Sequence, residues 1–182
     1  MVRRYTATAI ALHWLLAVLV VCSAALGLYM AGLSLSPAKL KLYSWHKWLG
    51  VTIFLLAVLR VLWRLTHPAP PLPAATPRWQ RKAAAVSHFL LYLLLLVIPL
   101  SGWLMSSALG VQTVYLGVVP LPDLVAKDKV LGEQLKVVHG TLNLTLAALV
   151  AVHAAAALRH HFGDRDDVLH RMLPFVRPRT GR

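Results

Sequence analysis

Acidic side chains are scarce in this sequence. Six Asp and Glu stand against 19 Lys and Arg. All six (Asp123, Asp128, Glu133, Asp164, Asp166 and Asp167) lie outside the long apolar runs or at their edges. That excludes a carboxylate-rich di-iron centre in the apolar part, which needs several inward-facing carboxylates. Cysteine is scarcer still. The single Cys22 sits mid-run, which leaves no intramolecular disulfide and no cysteine-ligated iron–sulfur cluster. Period-two alternation is missing as well, which argues against a closed transmembrane barrel. No internal repeat appears, and the only biased segment is the proline-rich HPAPPLPAATP of His67–Pro77.

What the chain does have is hydrocarbon. Mean hydropathy is +0.66 over 182 residues, and four runs exceed the roughly 18 residues needed to cross a bilayer. They fall at about 8–31, 44–66, 82–107 and 136–161. The expectation is an all-α, integral membrane four-helix bundle, one domain over residues 1–182, with no soluble domain left over. The first run follows Met-Val-Arg-Arg but is too long for a signal-peptide core and contains His13, so it reads as a retained helix.

The net charge of +13 does not point to nucleic acid, because the charge is segregated. Arg3, Arg4, Arg60, Arg64, Arg78, Arg81, Lys82, Arg159, Arg165, Arg171, Arg177, Arg179 and Arg182 fall on one side of the runs. Lys39, Lys41, Lys47, Lys127, Lys129 and Lys136 fall on the other. The positive-inside rule then puts both termini in the cytoplasm. The surplus arginine reads as topology and contact with lipid headgroups.

Between the runs, Ser34, Ser36 and Pro37 read as breakers in a short outer loop. The linker at His67–Pro77 reads as extended. Pro99, followed by Ser101 and Gly102, predicts a kink in the third run, tolerated where neighbours satisfy the freed carbonyl. The outer loop at 108–135 is apolar and aromatic enough for a short interfacial helix. Asp164 is placed to cap a second one over DRDDVLHRMLPF, with Val168, Leu169, Met172 and Leu173 as its apolar face.

Five of the nine histidines lie within the runs: His13, His46, His88, His139 and His153. One membrane histidine is often an interhelical hydrogen bond. Five together point to function, since intramembrane ionisable groups are costly. His139 and His153 are fourteen residues apart, about 21 Å of helical rise, on nearly the same face. Depth places His46 and His139 near the outer ends of the second and fourth runs, and His13, His88 and His153 in inner halves. Structural zinc wants four protein ligands. Bis-histidine haem needs only neutral imidazoles on either side of a flat apolar macrocycle. Gly27 and Gly102 lie fourteen residues beyond His13 and His88, near the outer level. Gly50 and Gly140 lie close to His46 and His139. Glycine lets a macrocycle approach backbone, although small-residue helix packing explains such positions too. Arg60, fourteen residues beyond His46, reaches the inner level, where a haem propionate is a natural partner.

These residues resemble the bacterial cytochrome b561 family of di-haem membrane cytochromes. The resemblance rests on the I-A-L-H-W of Ile10–Trp14, the W-H-K-W-L-G of Trp45–Gly50 and the R-V-L-W-R of Arg60–Arg64. It continues through the S-H-F-L-L-Y-L of Ser87–Leu93, the P-L-S-G-W of Pro99–Trp103 and the K-V-V-H-G of Lys136–Gly140. The V-H-A-A-A-A-L-R-H-H of Val152–His161 and the R-M-L-P of Arg171–Pro174 complete it. It covers nearly the whole chain and implies a multi-pass protein of the bacterial inner membrane with two haems b. His46 and His139 would ligate the outer iron, and His13 and His153 the inner one, with His88 the rival of His13.

The family includes a superoxide oxidase that passes electrons to ubiquinone. The resemblance therefore implies superoxide as outer substrate and ubiquinone as acceptor near the inner haem. Lys41, Lys47 and Lys136 could steer the anion, or merely form a solvated face. His160 could bond a quinone carbonyl, or the Arg159–His161 cluster could only anchor the helix at headgroups. The family also resembles cytochrome b subunits of hydrogenases and formate dehydrogenases. The alternative is thus an electron-transfer subunit serving a separate dehydrogenase partner.

Overall fold

The computed structural model describes residues 4–74 and 76–174. Arg3, Arg177, Arg179 and Arg182, part of the basic side above, lie outside the described residues, as does Phe175.

Four helices account for most of the chain: α1 (Ala7–Ala31), α2 (Pro37–Thr66), α3 (Arg78–Ala108) and α4 (Lys129–Phe162). Each is long and apolar enough to cross a membrane. Three begin earlier than apolarity alone predicts, and two of those early starts have a visible cause. Ser36 caps α2 by accepting from the Lys39 amide at 3.2 Å. Pro37 does not break the chain there; it occupies the first helical position, where its missing N–H costs nothing. The Asp128 carboxylate caps α4 through the amides of Val130 and Leu131. At 34 residues, α4 is about 51 Å long, well beyond a hydrocarbon core of about 30 Å. α3 starts at Arg78, directly after Pro77, and runs unbroken through Pro99.

The interfacial helix expected in 108–135 does not form. Val114–Tyr115 and Val119–Pro120 pair as a small antiparallel hairpin, β1 and β2. Leu116 and Gly117 turn it with φ of 53° and 74°. β-Branched and aromatic residues favour the extended backbone here. The Trp48 indole donates to Val114 O at 2.7 Å, and Thr52 Oγ1 meets the Tyr115 hydroxyl at 3.0 Å, fastening the hairpin to α2. The amphipathic helix expected from Asp164 does not form either, and residues 163–174 run as successive turns. This strap crosses the end of the bundle where α1 begins and α4 ends. Arg4 donates to Leu173 O, the Trp14 indole to Met172 O at 2.8 Å, and Arg171 to Pro71 O at 2.6 Å.

α1 packs on α2, α2 on α3, and α3 on α4; no comparable packing joins α4 to α1 or α2 among the described residues. A cleft therefore separates α4 from the first two helices. Mid-height it is closed by Leu94, Ile98 and Leu146, with Val20, Leu91, Leu142 and Leu149 against them. Few side chains are buried, and apolar residues such as Leu28 and Leu144 are largely exposed. A bundle surrounded by lipid is expected to look like this, since lipid chains solvate leucine as well as a core does.

Candidate functional site

Two clusters of imidazoles face each other across the cleft. At the hairpin end, His46 of α2 and His139 of α4 have ring centroids 6.3 Å apart and planes at 87°. At the end where α1 begins and α4 ends, His13 of α1 and His153 of α4 stand 6.2 Å apart at 66°. His88 of α3 is also here, 5.4 Å from His153. A metal held in line between two imidazole nitrogens, at about 2 Å from each, sets the ring centroids about 6 Å apart. Both cross-cleft pairs meet that span. The His88–His153 pair falls short of it.

Hydrogen bonds settle the chemistry of the hairpin-end rings. His139 Nδ1 lies 2.9 Å from Ser101 Oγ, and that hydroxyl is 2.7 Å from Ile98 O. A hydroxyl has one proton, and it goes to the carbonyl. Ser101 therefore accepts from His139, which must carry its proton on Nδ1. His46 Nδ1 lies 3.1 Å from Ser23 O, a pure acceptor, and 3.3 Å from Ser23 Oγ. Both rings are held in the tautomer that leaves the Nε2 lone pair for a metal, the arrangement metal-ligating histidines adopt. Apolar groups, among them Val20, Ile53, Leu94 and Leu146, line the cavity they share. Among the described residues no carboxylate or cysteine joins either cluster. Neutral imidazoles in an apolar slot suit a bis-histidine haem.

Arg60 organises the other end. Its guanidinium donates to Ala9 O at 2.8 Å, to the Tyr92 hydroxyl at 3.2 Å and to His13 Nδ1 at 3.3 Å. It pairs with no carboxylate among the described residues. A guanidinium has five N–H donors, so these three bonds leave donors over for the propionate expected at this level. Tyr92, Ser23 and Ser101 were not picked out by pattern as partners. Tyr92 lies four residues beyond His88, on the same helical face, which is the one signal that was available.

Two of the four glycines face an imidazole. A Cβ on Gly27 would stand 3.2 Å from His46 Cε1, and one on Gly102 3.1 Å from His139 Cε1. These two glycines make room for the imidazole of the neighbouring helix. A Cβ on Gly50 or Gly140 meets nothing within 4 Å. Gly102→Val is therefore expected to displace His139 and lower cofactor content at the hairpin end, while Gly140→Ala leaves it unchanged. Haem per chain in the purified variants checks this, and equal content in both would refute it.

Other candidates have local partners. Lys47 Nζ donates to Val111 O at 2.9 Å. Lys41 lies over the Trp45 ring at 5.2 Å. Lys136 pairs with Glu133 at 3.3 Å. His160 has carboxylate partners: its Nδ1 is 2.6 Å from Asp166 Oδ2 and 3.4 Å from Asp164 Oδ2.

Residues 4–175 match the prokaryotic cytochrome b561 family. Cytochrome b561 homolog 2 of Escherichia coli (strain K12) is 38% identical over 172 residues, 93% of this chain and 91% of that protein. Cytochrome b561 homolog 1 of the same organism is 30% identical over 175 residues, 94% and 97% of the two chains. A protein named probable superoxide oxidase CybB, from Yersinia pestis, is 27% identical over 179 residues, again 94% and 97%. The chain belongs to the prokaryotic cytochrome b561 family, and is a multi-pass electron-transfer protein of the bacterial inner membrane whose family binds haem b.

Proposed function

We propose that this protein holds two haems b, one between His46 and His139 and one between His13 and His153, and moves electrons from superoxide outside to ubiquinone near the inner level. The observation that carries the reading is the pair of cross-cleft imidazole spans, 6.3 and 6.2 Å, each sized for one metal in line. In this reading the hairpin end is the outer face and the termini are cytoplasmic, which the lysine and arginine segregation supports. When bound, the haems would supply two one-electron carriers.

The chain's own residues do the rest. Ser23 and Ser101 orient the outer imidazoles. Gly27 and Gly102 admit them. Lys41, Lys47 and Lys136 belong to an outer face with six lysines against Asp123, Asp128 and Glu133; that field favours approach of a small anion. Of the three, Lys136 is already offset by Glu133. Each superoxide gives one electron and leaves as dioxygen. Two electrons and two protons convert the quinone to quinol. His160, its ring fixed by Asp166, keeps Nε2 for a quinone oxygen at the inner end of α4. The likeness to a relative named probable superoxide oxidase supports the substrate.

The test is stopped-flow haem reduction by superoxide in the purified protein. Rapid reduction without any partner is expected, with sustained turnover once a ubiquinone is added. No reduction, together with co-purification of a soluble dehydrogenase, would overturn the reading in favour of a cytochrome b subunit.

A further inference from the structure

The two imidazole levels are not built alike. At the hairpin end both rings give their Nδ1 proton to oxygen: His139 to Ser101, itself anchored on Ile98 O, and His46 to Ser23 O. Donation to an acceptor makes the ligating nitrogen more electron-rich, which favours the oxidised, more positive iron. At the other end no ring gives a proton to such an acceptor among the described residues. Neither His88 nor His153 has a hydrogen-bond partner on its ring among the described residues, and His13 Nδ1 faces the Arg60 guanidinium, a group that can only donate. Ligation through Nε2 puts the His13 proton on Nδ1, against that cation.

Arg60 adds a direct field. It is a permanent charge, half-buried, held by Ala9 O and Tyr92, with no carboxylate partner among the described residues. A positive charge beside a metal disfavours the state with the extra positive charge, and does so strongly where water is excluded. No cation is hydrogen-bonded to either hairpin-end ring among the described residues. Lys47, the cation next to His46 in sequence, gives its ammonium to Val111 O of the loop.

We propose that Ser23, Ser101 and Arg60 set unequal reduction potentials at the two levels, the His46–His139 level below the His13–His153 level. One electron then passes from the first level, which is oxidised, to the second, which is reduced, without energy input and towards the cytoplasmic face. Ser101 and Arg60 act here as positioning and field residues, not as ligands. The inference rests on the two-haem reading above. It adds the residues that set the driving force for that electron flow.

The test is an optical redox titration of the purified holoprotein in detergent, with haem counted by pyridine haemochrome. The wild-type protein is expected to titrate in two resolved one-electron components. Ser101→Ala should raise the lower component and leave the upper one in place. Arg60→Gln should lower the upper component and leave the lower one. The expected size is about a tenfold change in reduction equilibrium for each, or about 59 mV for one electron. Ser101→Thr, which keeps the hydroxyl, and Arg60→Lys, which keeps the charge, should restore most of each shift; a merely structural role would not be rescued in this pattern. Should Ser101→Ala move the upper component, or Arg60→Gln move neither, the ordering is wrong while the two-haem reading stands. A propionate that neutralises Arg60 would give that second result. Fewer than two haems per chain in the wild-type protein would remove both.

Discussion

Replacing His139 with alanine is expected to halve the haem content, from two per chain to one, and to leave the remaining haem spectrally intact. His139 is one of two rings at its level, and the other, His46, stands on the far side of the cleft. No third histidine lies there to take over, whereas the other level has three. Loss of even an outer hydrogen-bonding partner costs about 10–100-fold in metal affinity, so loss of a ligand itself should empty the site. Thermal stability should fall as well. α4 makes no comparable packing contact with α1 or α2 among the described residues, and a cofactor bridging that cleft adds its binding free energy to the fold, about 4 kcal/mol at a thousandfold excess over Kd. Pyridine haemochrome and a melting curve read both effects. A His139→Ala protein that retains two haems would exclude the assignment.

At the other level, His153→Ala and His13→Ala should each remove the second haem, and His88→Ala should keep it. The reason is span. His13 sits 6.2 Å from His153, matching the 6.3 Å of the hairpin-end pair, while His88 at 5.4 Å is too close for a metal in line. Arg60 pulls the other way, since its contact with His13 Nδ1 favours the tautomer with the proton on Nε2. The three single variants, counted for haem and compared by absorption spectrum, decide between these effects. Retention of both haems in His13→Ala, with loss in His88→Ala, would transfer the ligand role to α3.

Much of the architecture was legible in the chain. Apolar run length is a local property, so the four helices were visible from hydropathy; α2 and α4 start early where capping extends a helix past its apolar part, and α3 starts early at Arg78 without a side-chain cap. Ser36–Pro37 and Asp128 supply the two caps. The hairpin and the strap were misread for a different reason. Val114–Pro120 and Asp164–Pro174 are apolar enough for interfacial helices, but their conformation is decided by tertiary partners: Trp48 and Thr52 for the first, Arg4 and Trp14 for the second.

The candidate site divides along the same line. Sequence alone determined that histidines fall at two depths, because a helix rises about 1.5 Å per residue whatever surrounds it. It also determined that no acidic or thiol group shares those depths. Only the tertiary structure decided which imidazole faces which, that Gly27 and Gly102 seat histidines, that Ser23 and Ser101 bond one pair and that Arg60 bears on the other. A helix in lipid is apolar on every side, so it has no amphipathic stripe to mark its inward face. Rotation of each helix about its axis, and with it every contact across the cleft, is set only when the four pack together.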